Sequence, residues 1–506
     1  MRNLAGVLKY FHRTPALSRS RRFVCQQLKA RSDKALIKGM YHCRQNALIC
    51  RVGPLSCTES VTKKSFKEES TISLDEKMVQ APEAAVQRRS TAGEATRKRL
   101  QQVALELFWK KGYRSTTTRD VAASLGVQQA SLYYHMKNKE DLLHGICYSS
   151  FLQVVENAEA AVAGAGNPLE AIREMARSHL MTTLEYQKEF SVALIECRAL
   201  GPDYRAEIEA LWSRYHMMSY EVLDEAKAAG LIRSDVPNKY IYTPLICTLN
   251  WAALWYRQGK GRTVGELDEL YAKVFFGGAA NPDFRRNIRS EEVCRNLEFL
   301  VSPIAPSAQF AVNDTYARML DTACALFARK GYFATSIREI ASAMGIQKAS
   351  LYYYISSKED LIYQISKTAL EHVTACVEMA LTQVSGPEER LYAFITSHVA
   401  GLLQHQNWHA AANEELMHAF SPTRRKEIVA MRDAYERRAR TILEDAQAAG
   451  LIRSDISAKF LGLILFGMIT NLYSWYQPEV DVPTSELGFI LADLFMAGIA
   501  PNKAAE

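Results

Sequence analysis

Two segments of the chain carry nearly the same polar and aromatic residues. SLYYHMKNKEDLL runs from Ser131 to Leu143, and SLYYYISSKEDLI runs from Ser350 to Ile362, 219 positions later. Each contains adjacent tyrosines and a Lys-Glu-Asp group. Tyrosine can contact phosphates, base edges and thymine methyl groups, and lysine can bind a phosphate. The two segments therefore carry groups of the kinds that contact nucleic acids.

A short helix must position these side chains. Leu132 and Met136 lie four positions apart, as residues on one helix face do, so they are predicted to face the core. Tyr133 and Tyr134 cannot both share that face, and at least one of them is predicted to be exposed. Packing between helices is the alternative role for Tyr133.

The lysines open a longer helix in each segment. Lys139 and Lys358 both stand at the predicted helix N-terminus, where free N–H groups attract anions, and this place suits a phosphate contact. The alternative is that both are solvated surface charges.

The segments belong to a longer duplication. Residues 103–143 and 322–362 agree at about half of their positions. The match resumes at residues 226–235 and 446–455 with an offset of 220, so one residue was gained or lost in between, and we expect this in a loop. Each copy is roughly 185 to 190 residues long.

The pattern in both copies is helical, with apolar residues at i, i+3, i+4 and i+7 and no sustained strand alternation. Glycines 112 and 331 are placed as C-terminal caps. Thr117 with Asp120, and Ser336 with Glu339, form the capping-box pattern that starts a new helix. That short helix is predicted to end at glycine 126 or 345.

A second short helix is predicted over residues 128–136 and 347–355. Asn138 or Ser357 then caps the long helix. Two short helices joined by a tight turn with glycine are the helix-turn-helix pattern, in which the second helix enters the major groove.

The arrangement resembles the DNA-binding head of the TetR family of bacterial repressors. The family pattern T-x-R-x-x-A-x-x-x-G-V-x-x-x-x-L-Y-x-H-F-x-x-K-x-x-L is met nearly residue for residue, over about 45 residues in each copy. The resemblance implies an all-α fold of two tandem units, each with a helix-turn-helix head and a helical bundle for ligand binding and dimerisation. It also implies DNA contacts by one set of positions in each copy: Arg119, Gln129, Ala130, Ser131, Tyr133, Tyr134, His135 and Lys139 in the first, and Arg338, Lys348, Ala349, Ser350, Tyr352, Tyr353, Tyr354 and Lys358 in the second.

The two heads differ at contact positions. Gln129 is replaced by Lys348, and His135 by Tyr354. Glutamine pairs best with adenine and lysine with guanine, so the heads are predicted to read two unlike half-sites. The family's usual phenylalanine is Met136 here, which is a tolerable core exchange.

These features divide the chain into six parts: a basic, disordered N-terminal extension (1–90), a head (91–144), a bundle (145–280), a linker (281–312), a second head (313–363) and a second bundle (364–500).

Family members work as homodimers, which implies that the two copies form an intramolecular pseudo-dimer on DNA. The apolar segments 239–258 and 459–477, each followed by an amphipathic helix (264–276 and 484–496), are expected to form the contact. Further dimerisation of whole chains is the alternative.

The resemblance implies a small apolar effector in the bundle. Candidate contacts are Met175, Met181, Leu184, Phe190, Tyr215 and Tyr220. The signature E-x-R-A-L-x-P-x-x-R-x-E-I (residues 196–208) and the A-A-G-L-I-R-S-D segments resemble the subgroup that answers to acyl-coenzyme A thioesters. The resemblance also implies that binding of the effector releases the DNA, as is usual in this family.

Charge is uneven along the chain. The net charge is +7, but residues 1–90 contain 18 Lys or Arg and 7 Asp or Glu, or +11, which leaves −4 for the rest. The basic segment is open to three interpretations: a disordered tail, a targeting signal, or translated upstream sequence with the true start at Met78.

Other classes find little support. The ten cysteines show no zinc or disulfide spacing, which favours a reducing bacterial cytoplasm, and no metal or cofactor is expected. The longest apolar run, residues 460–475, is too short to span a membrane. Cys197, His179 and Glu196 match no catalytic motif, so an enzyme is not expected. A ligand sensor whose heads no longer bind DNA is the remaining alternative.

Overall fold

The computed structural model describes residues 83–257, 259, 261–278, 314–332, 335–414 and 420–498. The linker and most of the N-terminal extension lie outside these ranges. Within them the fold is all-α, and no strand occurs. None of the described helices is both long and apolar enough to cross a bilayer.

The first repeat contributes nine α-helices in the described part of the chain: α1 (Glu83–Lys111), α2 (Thr118–Leu125), α3 (Gln129–Leu132), α4 (Lys139–Ala163), α5 (Pro168–Glu185), α6 (Gln187–Glu196), α7 (Pro202–Ala228), α8 (Asn238–Trp255) and α9 (Val264–Gly277). The second repeats them in order: α10 (Asp314–Lys330), α11 (Ile337–Met344), α12 (Lys348–Leu351), α13 (Lys358–Thr382), α14 (Pro387–Gln404), α15 (Gln406–Glu414), α16 (Pro422–Ala448), α17 (Ala458–Ile469) and α18 (Thr484–Ala497).

The change of offset falls between two helices. Gln187 and Gln406, which begin α6 and α15, are 219 positions apart, whereas Pro202 and Pro422, which begin α7 and α16, are 220 apart. The additional residue thus lies in the connection, where insertion costs little.

Two predicted boundaries differ from the structure. Helix α1 begins at Glu83, inside the segment expected to be disordered, because residues 83–89 (EAAVQRR) are mostly strong helix formers despite their weak apolar periodicity. The second short helix is limited to Gln129–Leu132, and α12 to Lys348–Leu351. Tyr133 N–H then bonds to Ala130 O, an i→i+3 turn that ends the α-helical ladder.

Helix α4 joins head and bundle. It packs on α1 of the head and on α5, α6 and α7 of the bundle. Helix α13 joins the second head and bundle in the same way, against α14, α15 and α16. A movement of either long helix is therefore shared by a head and a bundle.

The two repeats contact each other through α8 and α17, flanked by α9 and α18. The backbones approach closely at Gly467, where a Cβ would lie 2.8 Å from Thr248 Cα. A second close approach joins the ends of α9 and α18, where a Cβ on Gly498 would lie 2.7 Å from Gly278 N. Glycine is required at these points because any side chain would push the helices apart.

The substitution Gly467→Ala tests this contact against a control on the same helix. We expect Gly467→Ala to lower the free energy of unfolding by about 1–3 kcal/mol, since its methyl group meets the α8 backbone. Gly462→Ala adds a methyl group 3.6 Å from Leu443 Cδ1, an ordinary contact, and should be neutral or stabilising by up to ~1 kcal/mol. Urea denaturation measures both, and equal effects would contradict the packing described.

Candidate nucleic-acid interface

The helix-turn-helix of each head is set by its capping residues. Thr117 Oγ1 accepts a hydrogen bond from Asp120 N at 3.1 Å, and Asp120 Oδ2 accepts one from Thr117 N at 2.8 Å. The Thr117 N–H and the Thr117 hydroxyl both donate to this carboxylate and lower the pKa of Asp120 to about 2. Helix α2 then ends at Gly126, whose φ of 70° favours glycine. The predicted capping boxes and glycine caps are confirmed in both repeats.

The recognition segment presents its tyrosines to solvent. Leu132 and Met136 are buried in the head, as are their counterparts in the second repeat. Tyr133 is 52% exposed and Tyr134 88%, against 47% for Tyr352 and 90% for Tyr353. Both tyrosines of each pair are thus available to a partner.

The two heads differ around the first residue of the recognition helix. The amide of Gln129 donates to Thr118 Oγ1 at 2.7 Å, which fixes its direction. Position 337 in the second repeat is isoleucine, and Lys348 instead extends with its Nζ 5.7 Å from the Tyr352 ring centre. The two heads therefore offer a tethered amide and a cation at equivalent places.

The remaining predicted contacts flank this surface. Exposed side chains are Arg119, Ala130, Ser131, Arg338 and Ala349, while His135, Ser350 and Tyr354 are partly buried.

The ammonium group of Lys139 is bonded within the head, which differs from a lysine that is free to contact a phosphate. It donates to Tyr113 O at 2.9 Å and to Thr116 O at 2.8 Å, and it lies 4.2 Å from the Tyr113 ring centre. Partial burial lowers its pKa. Lys358 lies at the same distance over Tyr332. Lys139 thus holds the loop between α1 and α2 against the start of α4.

Glu196 is a contact that sequence reasoning did not assign to the head. Its Oε1 accepts the Tyr113 N–H at 2.9 Å, so the end of α6 is bonded to the loop that Lys139 holds. Burial raises the pKa of Glu196. In the sequence, Glu196 is marked only as the first residue of the E-x-R-A-L signature. That signature indicates a residue of the bundle and does not predict a contact with the head.

A second junction joins the start of each long helix to the bundle. Gly201 N donates to Glu140 Oε1 at 2.5 Å, and in the second repeat Ser421 N donates to Glu359 Oε1 at 2.8 Å. Arg424 also donates to Asp360 Oδ1 at 2.7 Å. The start of α7 or α16 is therefore bonded to the helix that carries the recognition segment.

The predicted effector contacts are mostly core. Met175, Leu184, Phe190 and Tyr215 are buried, Tyr220 is partly buried, and Met181 is 40% exposed. In the described residues no group of His, Cys, Asp or Glu is arranged to hold a metal ion.

Comparison with known proteins identifies the family. A model of bacterial regulatory proteins of the tetR family matches residues 100–146 and 319–365, and a model of tetracyclin repressor-like C-terminal domains matches residues 165–279 and 384–499. Together they cover more than half of the chain. The chain belongs to the TetR family. The family consists of transcriptional regulators, and the chain carries two complete TetR-like units in tandem.

Relatives of the TetR family correspond in length to one repeat. The HTH-type transcriptional repressor KstR2 of Mycobacterium tuberculosis is 25% identical over 191 residues, which are 37% of this chain and 95% of KstR2. Among solved structures, the TetR family regulator PfmR from Thermus thermophilus is 31% identical, with 36% of this chain and 98% of PfmR covered and a TM-score of 0.34. AibR in complex with isovaleryl coenzyme A and operator DNA is 26% identical, with coverage of 36% and 97% and a TM-score of 0.31.

The substitution Lys139→Met tests whether Lys139 holds the loop between α1 and α2 against the start of α4. It removes the side-chain donor to Thr116 O and one of the two donors to Tyr113 O, so we expect the head to lose about 1–3 kcal/mol of local stability. Hydrogen exchange of amides 112–120 should accelerate accordingly. Lys137→Met, at an exposed neighbour, serves as the control. Unchanged exchange in Lys139→Met would show that this contact contributes nothing.

Proposed function

We propose that the protein is a transcriptional repressor that binds one operator as a single-chain pseudo-dimer, reads two unlike half-sites and is released by a small effector. The observation that carries the proposal is the exposure of matching tyrosine pairs on two heads of one chain whose bundles are packed together. Half-sites one duplex turn apart, about 34 Å, require two heads held at a fixed separation.

Charge complementarity supports pairing of the first repeat with the second. Arg233 pairs with Asp493 at 2.5 Å. Lys239 pairs with Asp481, and the Tyr240 hydroxyl accepts the Val482 N–H at 3.0 Å. Asp481 is buried, so it depends on these partners.

The same positions disfavour pairing between two first repeats. Asp493 corresponds to Lys273, and Asp481 corresponds to Gly261. A pair of first repeats would set Arg233 against Lys273 and leave Lys239 without a carboxylate. Like charges placed together across an interface cost several kcal/mol as an order of magnitude. Pairing of the two repeats within the chain gives both Arg233 and Lys239 a carboxylate partner.

The heads also approach each other. A Cβ on Gly331 would lie 2.9 Å from Arg114 Nη2, so the loops after α1 and α10 are neighbours. Gln129 in one head and Lys348 in the other favour an adenine and a guanine contact, respectively. An operator with two unlike halves follows from this difference.

The effector acts through the junctions at the starts of α7 and α16. A ligand changes DNA affinity only if it binds the DNA-competent and incompetent shapes differently. A shift of α6 or α7 would move the head through Glu196 and Glu140. The signature at residues 196–208 supports an acyl-coenzyme A thioester as the effector. The protein then acts in the bacterial cytoplasm, at the nucleoid.

Repression is supported by KstR2, which is named as a repressor and which one repeat matches over nearly its full length.

Tyrosine substitutions test the interface. Tyr134→Ala and Tyr353→Ala should each weaken operator binding about 5- to 150-fold, the equivalent of ~1–3 kcal/mol, without loss of stability because both side chains are exposed. Met217→Ala, an exposed residue of α7, should leave binding unchanged. Mobility shift with duplexes recovered from a random pool measures both. If the protein is instead a ligand sensor whose heads no longer bind DNA, no duplex will be recovered from the pool.

The recovered sequences test the half-site prediction. Two unlike halves are expected, and Lys348→Gln should shift the second half towards the first. A perfect palindrome would contradict the proposal.

A charge exchange tests the pairing of repeats. Arg233→Asp sets a carboxylate against Asp493 and should destabilise the protein by about 1–3 kcal/mol, and Asp493→Arg in the same chain should restore part of that loss. Thermal unfolding of the two single variants and the double variant gives the coupling. Additive effects would mean that the two residues do not interact.

A further inference from the structure

The second bundle contains imidazole rings that the first bundle lacks. His372 on α13 and His405 between α14 and α15 form a histidine pair, with ring centroids 4.6 Å apart and an angle of 85° between the rings. His409 on α15 is under the electrostatic influence of both. The equivalent positions in the first repeat, by the offset of 219, are occupied by side chains that do not titrate near neutral pH: Gln153, Tyr186 and Phe190.

The nearest partners of the histidine pair are neutral. His372 Nε2 lies 3.0 Å from Gln404 Oε1 and 3.5 Å from Cys376 Sγ. Burial raises the pKa of the Cys376 thiol to about 11, so the thiol stays protonated near neutral pH. The carboxylate of Glu371, the preceding residue of α13, is exposed and lies 3.8 Å from the Lys367 ammonium.

The other elements around the pair carry neutral or positive groups. Helix α14 carries the buried His398, and segment 470–474 carries Tyr473, which is neutral near pH 7. Arg432 of α16 acts on His409 as a cation. The Glu436 carboxylate on the same helix is influenced by Asp433 and by three cations: Arg432, Arg440 and Lys459. A proton added to the pair therefore gains no carboxylate partner among the described residues.

Burial and mutual proximity keep the two rings neutral. Burial lowers the pKa of His372, and burial together with the adjacent His372 lowers the pKa of His405 to about 4. In the unfolded chain, histidine titrates near pH 6.5, so below about 6.5 an opened segment takes up protons that the folded pair resists. The stability that depends on the pair is therefore complete above pH ~6.5 and is lost as the pH falls towards 4.

The histidine pair is joined to the second head. The His405 ring stacks on Trp408, with ring centroids 4.1 Å apart and an angle of 17° between the planes. The Trp408 indole N–H donates to Asp321 Oδ1 of α10 at 2.7 Å. The Trp408 ring is buried in the same apolar cluster as Leu320 and Phe327 of α10. A shift of α15 at the pair is therefore passed to the first helix of the head.

The corresponding tie of the first head is an ion pair. Glu189 occupies the position of Trp408 in the first repeat. Lys188 of α6 pairs with Glu106 of α1, and the bond from Lys188 lowers the pKa of Glu106. A carboxylate with a lowered pKa stays ionised at pH 5.5, so this tie persists where histidine takes up protons.

We propose that the histidine pair is an acid-sensitive switch of the second head. As the pH falls from about 7 to 5, proton uptake by His372 and His405 sets two like charges side by side and drives α15 from α13. Trp408 is then withdrawn from Asp321 and the second head loosens, while the first head keeps its shape. Earlier release of the second half-site of an operator follows, and this consequence rests on the proposed function.

Hydrogen exchange of the full chain at pH 7.5 and 5.5, corrected for the intrinsic effect of pH on amide exchange, tests the switch. Protection of amides 406–414 and 337–344 should fall at least about tenfold at pH 5.5. Each histidine that resists a proton in the closed state changes the opening equilibrium by about tenfold per pH unit below 6.5. Amides 187–196 and 118–125, their counterparts in the first repeat, should change by less than about threefold.

The first repeat supplies the matched variants. His405→Tyr and His372→Gln install the residues found there, and each should reduce the loss of protection in amides 406–414 at least about threefold. Either variant decides the matter if the other does not fold, and the double variant should abolish the loss. His144→Gln, which removes a histidine of the first repeat, should leave the loss in amides 406–414 unchanged.

Trp408→Phe tests the route to the head. It keeps an aromatic ring against His405 but removes the donor to Asp321. Amides 406–414 should still lose protection at pH 5.5, whereas amides 337–344 should lose less than in the parent chain. A full loss in amides 337–344 of this variant would overturn the route through Asp321.

Three results would overturn the switch: protection of amides 406–414 that does not depend on pH, equal losses in both repeats, or an unaltered loss in both histidine variants. Operator binding is measured separately by mobility shift at the same two pH values. Expected exchange results without operator binding at either pH would refute the proposed function alone. Operator binding with exchange that does not depend on pH would refute only the switch.

Discussion

The close packing of α8 on α17 is the contact on which the rest of the structure depends. A four-helix contact between repeats leaves no room for a side chain at Gly467, and it positions Arg233 and Lys239 opposite the carboxylates of the other repeat. Because α4 and α13 run from these bundles into the heads, the contact also sets the relation between the two recognition segments. A fixed relation is what two neighbouring half-sites of DNA require.

Fusion of two units has allowed each to specialise. In a homodimer every change appears twice, whereas here Lys273 and Asp493 can differ, and so can Asn250 and Thr470. The first bundle has an aromatic interior and a fully bonded histidine. The second has arginine at two of the corresponding ring positions, and the Nε2 atom of its buried His398 has no partner.

Much of the fold could be predicted because its signals are local. Thr117, Asp120 and Gly126 fix a helix by bonds within ten residues, and Leu132 with Met136 define a face by spacing alone. What could not be predicted depends on distant partners. Lys139 is expected at a phosphate from its sequence position, but its ammonium is bonded to carbonyls more than twenty residues away, and Glu196 reaches a head amide 83 positions earlier. Apolar side chains such as Phe190 resemble effector contacts in the sequence because composition does not distinguish a filled core from a cavity.

The mass of the complex with DNA tests the central claim most directly. Light scattering of the protein bound to a single operator duplex should give one 56.9 kDa chain per duplex, with both heads engaged. Two chains per duplex, with one head of each in contact, would contradict the account.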